Sequence, residues 1–355
     1  MGKPRSGGGA GPNSRKTVIR HPADTSTTTA DVRSDRQQQQ RIISFSQQQR
    51  LLDVFAAALR PTLASPQLAA ALQAVKRALF ERDFAGAFLG GTGGPADGGI
   101  ADGGTREAGG NAHIHTPPPL DAYAARWSPT RALCYAAILS SPLVLQRWQA
   151  NTTAKQPLRM VALGGGAAET VAFGALLADG LVDAGPGPDR GHIVLVDSAP
   201  WSSVVQKLCA AMTMTTATTD DLRQPSPLIH PSDRLAVDVR QLDILQLFTA
   251  GGLGAAAAFL LRMTAATAAA PGTLLLVVDS PGSYAETTVG TQARRYPMRW
   301  LLDKILLQDA SDAQLGPAWT RLHQDDSIWL RLPPALVYPI RLEDMRYQIH
   351  LYVRT

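Results

Sequence analysis

The sequence has few of the residues that cross-link a chain or anchor it in a membrane. It contains two cysteines, Cys134 and Cys209, and neither has a nearby Cys or His at the spacing of a metal site. A disulfide framework is therefore not expected, and a reducing compartment fits the composition. No run of about 18 apolar residues occurs, which argues against a transmembrane helix. The first residues also lack the apolar core of a secretory signal.

The positive charge is concentrated at the amino-terminal end. Residues 1–50 hold nine Lys/Arg and three Asp, a balance of +6, whereas the whole chain has a net charge of +5. Residues 1–46 are rich in Gly, Ser, Thr and Gln and carry too few apolar side chains to build a core, so we expect a disordered basic tail. Such a tail can contact phosphates without sequence preference, although a solvated leader without a function is the commoner alternative.

A helical segment with a glycine-rich insertion is predicted for residues 47–139. Apolar residues recur at helical spacing over 51–59 and 68–80. A further helix is predicted over 123–139, with its start at Ser128 and Pro129.

The insertion covers residues 90–119, and ten of the 21 residues from 90 to 110 are glycine. This composition predicts a flexible loop. The loop contains His113 and His115, and a solvated pair fits them better than a metal site because little order surrounds them.

Beyond residue 157 the pattern changes to short apolar runs separated by helical stretches. The first four runs are 160–163, 193–196, 235–239 and 274–278. Continuous apolar strands alternating with helices predict a mostly parallel, Rossmann-like sheet covered on both faces, in an α/β domain over 157–355. The last two runs, 328–332 and 349–353, flank a Pro-containing connection and predict an antiparallel hairpin at one edge.

The most informative motif is a glycine cluster, Gly164, Gly165 and Gly166, followed by Glu169. It comes directly after the first predicted strand and opens a helical pattern. A glycine turn in this place lets the backbone approach a ligand and directs helix N–H groups at it. A tight turn without a ligand is the alternative, but the context favours a nucleotide-binding site. Because residue 169 is Glu, the motif is not the Gly-x-Gly-x-x-Gly of a dehydrogenase.

Carboxylates follow the next two strands. Asp197 ends the second strand, where an acidic residue typically accepts hydrogen bonds from ribose hydroxyls, and it can also cap the following helix. It lies 33 residues after Gly164, farther than is usual, because a Gly/Pro loop intervenes. Asp238 and Asp243 flank the third strand, and either could bind an adenine amino group or be solvated.

A polar turn follows the fourth apolar run and includes Asp279, Ser283 and Tyr284. Ligands bind at the carboxyl ends of strands in open α/β sheets, which makes this turn a candidate substrate or catalytic edge. A loop shaped only by Pro281 and Gly282 is the alternative.

Five further segments, taken with the glycine motif, resemble one family. They are 123–133 (YAARWSPTRAL), 196–205 (VDSAPWSSVV), 278–284 (VDSPGSY), 296–303 (YPMRWLLD) and 345–352 (MRYQIHLY). This pattern is similar to that of the fungal 25S rRNA uridine-N3-methyltransferase family, whose members are class I enzymes dependent on S-adenosylmethionine (SAM). The resemblance extends over about residues 47–355, apart from the glycine-rich insertion.

The resemblance implies a class I methyltransferase sheet, SAM as methyl donor and large-subunit ribosomal RNA as partner. It also implies work in the nucleus or nucleolus, with the cytoplasm as the alternative. No metal and no membrane association are expected. The candidate cofactor-binding residues are Gly164, Gly165, Gly166, Glu169, Asp197 and Asp243.

Methyl transfer to a uridine nitrogen requires that the acceptor be positioned and that its proton be removed. Asp279, Tyr284 and Arg131 are candidates for the base or for a polarising cation, and the sequence does not rank them. A uridine inside folded RNA would have to leave its stack. The aromatic residues that could receive it are Trp127, Trp201 and Trp300, although Trp at helical positions is more often core.

One element of the family pattern is not found. A class I sheet needs a fourth strand beside the first, but the chain between Asp243 and Leu274 offers only the short run 244–249, a glycine-rich stretch and an alanine-rich helix. Either 244–248 is a short strand or the strand is absent, through a real deletion or a gene model that skips a segment. We therefore expect an irregular region around 245–255 and doubtful activity.

Two other functions stay open on the sequence alone. An inactive relative could bind SAM or RNA as a ribosome-assembly factor. A small-molecule methyltransferase could use the helices of residues 47–139 as a lid.

Overall fold

The computed structural model describes residues 43–89, 116–150, 156–178, 189–214, 227–243, 253–267, 270–281, 286–289, 294–307 and 318–355. The predicted tail, apart from 43–46, and the predicted insertion, apart from 116–119, lie outside these ranges. Within them, six helices precede the first strand. They are α1 (Phe45–Ala58), α2 (Arg60–Leu63), α3 (Leu68–Phe80), α4 (Phe84–Phe88), α5 (Pro119–Leu139) and α6 (Pro142–Ala150).

Helix α1 begins at a capping box and buries the predicted apolar stripe. The Ser44 hydroxyl accepts a hydrogen bond from the backbone N–H of Gln47 (3.3 Å), and the Gln47 side chain accepts one from the backbone N–H of Ser44 (2.5 Å). Leu51, Leu52 and Phe55 are completely buried. The helical character predicted for this part of the chain is therefore confirmed.

Helix α5 begins earlier than predicted. Its predicted start at Ser128 and Pro129 is wrong, because the helix begins at Pro119 and runs through Pro129. A proline inside a helix cannot donate to the carbonyl four residues before it, which here belongs to Ala125. The Tyr338 hydroxyl donates to that carbonyl instead (2.9 Å), so the backbone group is satisfied and the helix continues.

The first sheet is parallel. Its strands are β1 (Leu158–Leu163), β2 (Gly191–Asp197) and β3 (Leu235–Gln241), in the order β1-β2-β3. Helix α7 (Ala167–Leu177) follows β1, and helix α8 (Ser202–Thr213) follows β2. The three predicted strands are confirmed, each extended by one or two residues at one or both ends.

The second sheet contains the predicted antiparallel hairpin. Its strands are β4 (Leu274–Asp279), β7 (Trp319–Leu330) and β8 (Met345–Arg354), in the order β4-β8-β7. The last strand of the chain is antiparallel to both of its neighbours. Strand β7 starts nine residues before the predicted run. Residues 320–327 are mostly polar and partly exposed, so they do not form the continuous apolar run that indicates a buried strand.

A second, smaller core lies on one face of this sheet. It is formed with helices α9 (Leu253–Ala266) and α10 (Met298–Leu306), next to a short hairpin of β5 (Glu286–Val289) and β6 (Arg294–Pro297) that the sequence did not predict. Trp319 and Tyr352 are buried in this core. The Trp319 indole donates to the Thr264 hydroxyl (2.9 Å), and the Tyr352 hydroxyl donates to Asp303 (2.9 Å).

Strands β1 and β4 are edge strands of the first and second sheets within the described residues. Among the described residues, no strand pairs with β1 on the side away from β2, and none pairs with β4 on the side away from β8. In a class I sheet, the neighbour of both strands would be the fourth strand. The predicted alternative strand 244–248 lies outside the described residues. Nine residues separate Asp243 from Leu253, fewer than the dozen or more that a connection between parallel strands requires.

A common apolar core nevertheless contains side chains from both sheets. Leu158 of β1 and Leu351 of β8 belong to one buried cluster, together with residues of α5 and α7. Helix α5 has buried residues around most of its circumference, as expected for a helix packed between other elements. The α/β class, with a parallel sheet, a carboxyl-terminal antiparallel hairpin and a preceding helical segment, is confirmed.

Candidate active site

The glycine turn after β1 presents open backbone at the carboxyl end of the first sheet. Gly164 has a φ of +68°, a conformation that favours glycine, and a Cβ placed there would meet nothing within 4 Å. Its N–H donates to the carbonyl of Val196 in β2 (2.8 Å). The turn is therefore fixed to the sheet on one side and open on the other, next to the start of α7.

Gly166 is required for a different reason. A Cβ at this position would overlap the indole ring of Trp201, including Cζ2 at 2.8 Å. Trp201 is only 5% exposed and forms the floor beneath the turn. It is therefore not available to stack on an RNA base, and that sequence-based suggestion is wrong.

Asp197 ends β2 beside the glycine turn, as predicted. Its Oδ1 accepts a hydrogen bond from the backbone N–H of Ala199 (2.7 Å). Burial raises the pKa of Asp197, and the carboxylate of Asp243 raises it further. The Trp201 indole opposes this shift, although its Nε1 does not reach hydrogen-bond geometry with any partner among the described residues. The two carboxylates thus lie close enough to repel each other.

The end of β3 is held against the end of β2. This contact shows which of the two acidic candidates, Asp238 or Asp243, lies at the candidate site. The backbone N–H of Leu242 donates to the Asp197 carbonyl (2.8 Å), which places Asp243 at the carboxyl edge of the sheet. Asp238 instead lies within β3, is exposed, and contacts His192 at 3.0 Å. Of the pair, Asp243 is the one that the fold brings to the candidate site.

Glu169 lies in the first turn of α7, where its Oε2 accepts from the backbone N–H of Gly166 (2.7 Å). Burial raises the pKa of Glu169, and the positive charge of Arg131 partly offsets this. The Arg131 guanidinium also lies 5.7 Å from the ring centroid of Tyr123. The structure therefore brings Arg131 to the glycine turn, where its charge acts on Glu169.

Tyr123 is a residue that sequence reasoning missed as part of this site. Its ring centroid lies 5.3 Å from that of Trp127 and 6.0 Å from that of Trp201. Tyr123, Trp127 and Arg131 are spaced four residues apart, so they share one face of α5. That spacing was visible in the sequence and could have identified the face of α5 that borders the glycine turn.

Asp279 lies at the carboxyl end of β4, in the second sheet. Its Oδ1 accepts from the backbone N–H of Ser280 (2.7 Å), and the Ser280 carbonyl accepts from the Gln348 amide (3.2 Å). The oxygen of that amide lies 3.1 Å from Nε2 of buried His350. Asp279 thus sits in a turn held by the last strand, whereas Tyr284 lies outside the described residues.

The residues around Gly164 fit an adenosine-containing cofactor. Open space over the turn, the start of α7 and two carboxylates at adjacent strand ends supply backbone donors and acceptors for hydroxyl and amino groups. Over the described ranges, no group of three His, Cys, Asp or Glu side chains could hold a metal ion. In the same ranges, no helix is both long and apolar enough to cross a bilayer.

Two comparisons with known proteins relate the chain to methyltransferases. A family model described as "Putative SAM-dependent methyltransferase" matches residues 111–253 and 246–353. The 25S rRNA (uridine(2843)-N(3))-methyltransferase of Saccharomyces cerevisiae is 30% identical over 262 residues, which cover 66% of this chain and 70% of the relative. No solved structure matches the chain.

Neither comparison matches the chain without interruption. The family match is divided into two segments that overlap only at 246–253, next to the point where β3 ends. The alignment with the yeast protein has 262 positions, whereas 66% of 355 residues is about 234 residues, so about 28 aligned positions have no counterpart here.

We predict that Gly164→Arg abolishes binding of SAM, because the side chain would occupy the open space over the turn. Calorimetric titration with SAM measures the effect, and circular dichroism checks that the fold is retained. Gly164→Ala is the matched control. It carries the same backbone strain of about 1–2 kcal/mol without filling the space, so it should still bind. Undiminished binding by the arginine variant would show that SAM does not lie over Gly164.

We predict that Asp197→Asn weakens SAM binding about tenfold or more without lowering thermal stability. The amide oxygen can still accept from Ala199, whereas hydrogen bonds from a ligand to a charged acceptor are lost. Because the folded chain raises the pKa of Asp197, ionisation at neutral pH costs stability, and this cost disappears as the pH falls through the folded-state pKa. Asp197→Asn removes this cost, so its Tm should exceed that of the wild type at neutral pH. The difference in Tm between the two proteins should shrink toward acid pH.

Asp238→Asn is the control for this experiment, because Asp238 is exposed and lies away from the turn. It should leave SAM affinity unchanged. Equal loss of affinity in both variants would mean that the effect is one of net charge and not of the Asp197 site.

Proposed function

Because the chain belongs to a family of SAM-dependent methyltransferases, we propose that it transfers a methyl group from SAM to N3 of a uridine in large-subunit ribosomal RNA. The observation that carries this proposal is the open glycine turn bordered by Asp197, Asp243 and Glu169, in a chain 30% identical to a yeast rRNA uridine-N3-methyltransferase. The nucleolus, where ribosomal RNA is made, is the proposed place of work, with the cytoplasm as the alternative.

We assign SAM binding to the residues at the carboxyl end of the first sheet. The turn from Gly164 to Gly166 would lie against the amino-acid part and the ribose, and Asp197 would accept hydrogen bonds from the ribose hydroxyls. Asp243 would accept from the adenine amino group. When bound, SAM supplies a methyl group on a sulfonium, so no residue of the chain has to activate the leaving group.

The remaining chemical task of the protein is to hold uridine N3 in place and to take its proton. We assign the proton to Asp279, whose Oδ1 is held by the Ser280 N–H while Oδ2 has no partner within the described part of the chain. Arg131, near Glu169 and against the Tyr123 ring, would stabilise negative charge developing on the uracil ring. Tyr284 follows Asp279 by five residues and stays a candidate for the same task.

The division of the family match next to the end of β3 favours a second candidate function. A class I sheet without its fourth strand lacks the polar groups that follow this strand, close to the methyl donor. The chain would then keep the SAM and RNA contacts but transfer methyl groups poorly, as a binding protein in ribosome assembly. The two candidates differ in turnover and agree in binding.

Incubation of the purified full chain with tritiated SAM and large-subunit rRNA that lacks the modification tests the proposal. We expect N3-methyluridine in the digested RNA, and Asp279→Asn should lower its rate of formation by about a hundredfold or more, the usual contribution of a positioned base. SAM affinity should be unchanged in that variant. Binding of SAM and RNA without product would establish the second candidate, and a product on another base or a small molecule would contradict both.

A further inference from the structure

An exposed tryptophan lies at the end of the β7–β8 hairpin, beside two arginines. Trp329 is 42% exposed, whereas tryptophans are on average highly buried. The guanidinium carbon of Arg331 lies 4.2 Å from the centroid of its ring, and that of Arg346 lies 6.0 Å from it. We call these three residues the Trp329 platform.

Both arginines of the Trp329 platform are held by neighbouring groups. Asp344 pairs with Nη1 of Arg331 (2.6 Å) and also accepts from the backbone N–H of Leu332 (3.0 Å). Nε of Arg346 donates to the Ser327 hydroxyl (2.8 Å). A platform held in this way loses little side-chain entropy when a ligand binds, which favours affinity.

The Trp329 platform lies at the same end of the second sheet as Asp279, with β8 between Trp329 and Asp279. Trp329 and Arg346 are cross-strand partners, and Gln348 follows two residues along β8 on the same face, about 7 Å farther. Gln348 is the ladder partner of Asp279 and donates to the Ser280 carbonyl. Strand pairing thus places the platform next to the turn to which we assign the proton acceptor.

The loop that follows the platform also reaches the helix beside the glycine turn. Arg126 of α5 pairs with Glu343 at 2.6 Å, and the Tyr338 hydroxyl donates to the Ala125 carbonyl at 2.9 Å. The same helix carries Tyr123, which contacts the floor of the turn. The platform is therefore connected through protein contacts to both parts of the candidate active site.

The charge and shape of the platform fit single-stranded RNA. Asp344 neutralises Arg331, whereas Arg346 has no carboxylate partner in the part of the chain that the structure describes, so the platform carries a positive charge. Proteins bind unpaired RNA by stacking bases on aromatic rings and by placing guanidinium groups at phosphates. Both groups are present here within one face of one hairpin.

We propose that the Trp329 platform binds an unpaired nucleotide next to the target uridine, with its base on the Trp329 ring and a phosphate at Arg346. This inference rests on the proposed RNA substrate and adds a specific surface for it. A flanking base held there would keep the target nucleotide out of its stack and in front of Asp279.

Fluorescence anisotropy with a labelled single-stranded oligouridine tests this with the full chain. Trp329→Ala should weaken binding about tenfold, the usual contribution of one stacked base, and Trp329→Phe should retain most of the affinity. Arg346→Ala should lower the slope of log K against log salt by about 0.7, the value for one phosphate on a single strand. Phe80→Ala, which removes a ring that is 84% exposed on α3, is the matched control and should bind like the wild type.

The outcomes separate this inference from the proposed function. If the wild type binds the oligonucleotide and Trp329→Ala binds equally well, the platform is not the RNA surface, while the proposed substrate stands. If the wild type does not bind the oligonucleotide, the inference about the platform is overturned, and the methylation assay on ribosomal RNA still decides the proposed function. If Trp329→Ala loses its fold, Trp329→Phe and the salt slope of Arg346→Ala decide, because an unchanged slope would exclude a phosphate at Arg346.

Discussion

Packing of apolar side chains against α5 and α7 holds the molecule together, because no ladder of hydrogen bonds joins its two sheets within the described residues. Leu158 and Ile193 of the first sheet and Ile349 and Leu351 of the second contribute to one buried cluster with these helices. Burial of apolar surface is non-directional, so it can hold two half-sheets in one core without strand pairing between them. The glycine turn and the turn that contains Asp279 depend on this core for their relative position.

The fold was predictable wherever one pattern determines the structure. Continuous apolar runs predicted strands β1, β2 and β4, and the glycine cluster predicted the turn between β1 and α7. The start of α5 was not predictable, because Pro129 is tolerated only through the hydroxyl of Tyr338, more than 200 residues away. Only the end of strand β7 was predicted, because its earlier residues are mostly polar and do not form a continuous apolar run.

The candidate site was predictable at the strand ends and less so between them. Asp197 and Gly164 lie where their positions after β2 and β1 predict. The role of Trp201 as the floor under Gly166 depends on packing between α8 and the turn, which no sequence pattern shows. The family resemblance indicated Arg131 as a candidate. The structure adds that its charge acts on Glu169 and that its guanidinium lies near the Tyr123 ring.

The interruption of the sheet beside β1 can be measured directly by residue-resolved amide hydrogen exchange. The N–H of Leu158 donates to Arg190, just before β2, and that of Gly164 donates to Val196 of β2. Amides alternate in direction along a strand of a parallel ladder, so those of Arg159, Val161 and Leu163 point away from β2. We predict that these three amides exchange at least about a hundredfold faster than those of Met160 and Ala162, as expected for an open edge. Equal protection of all five amides would show that a strand covers this edge of β1 and would contradict an open sheet.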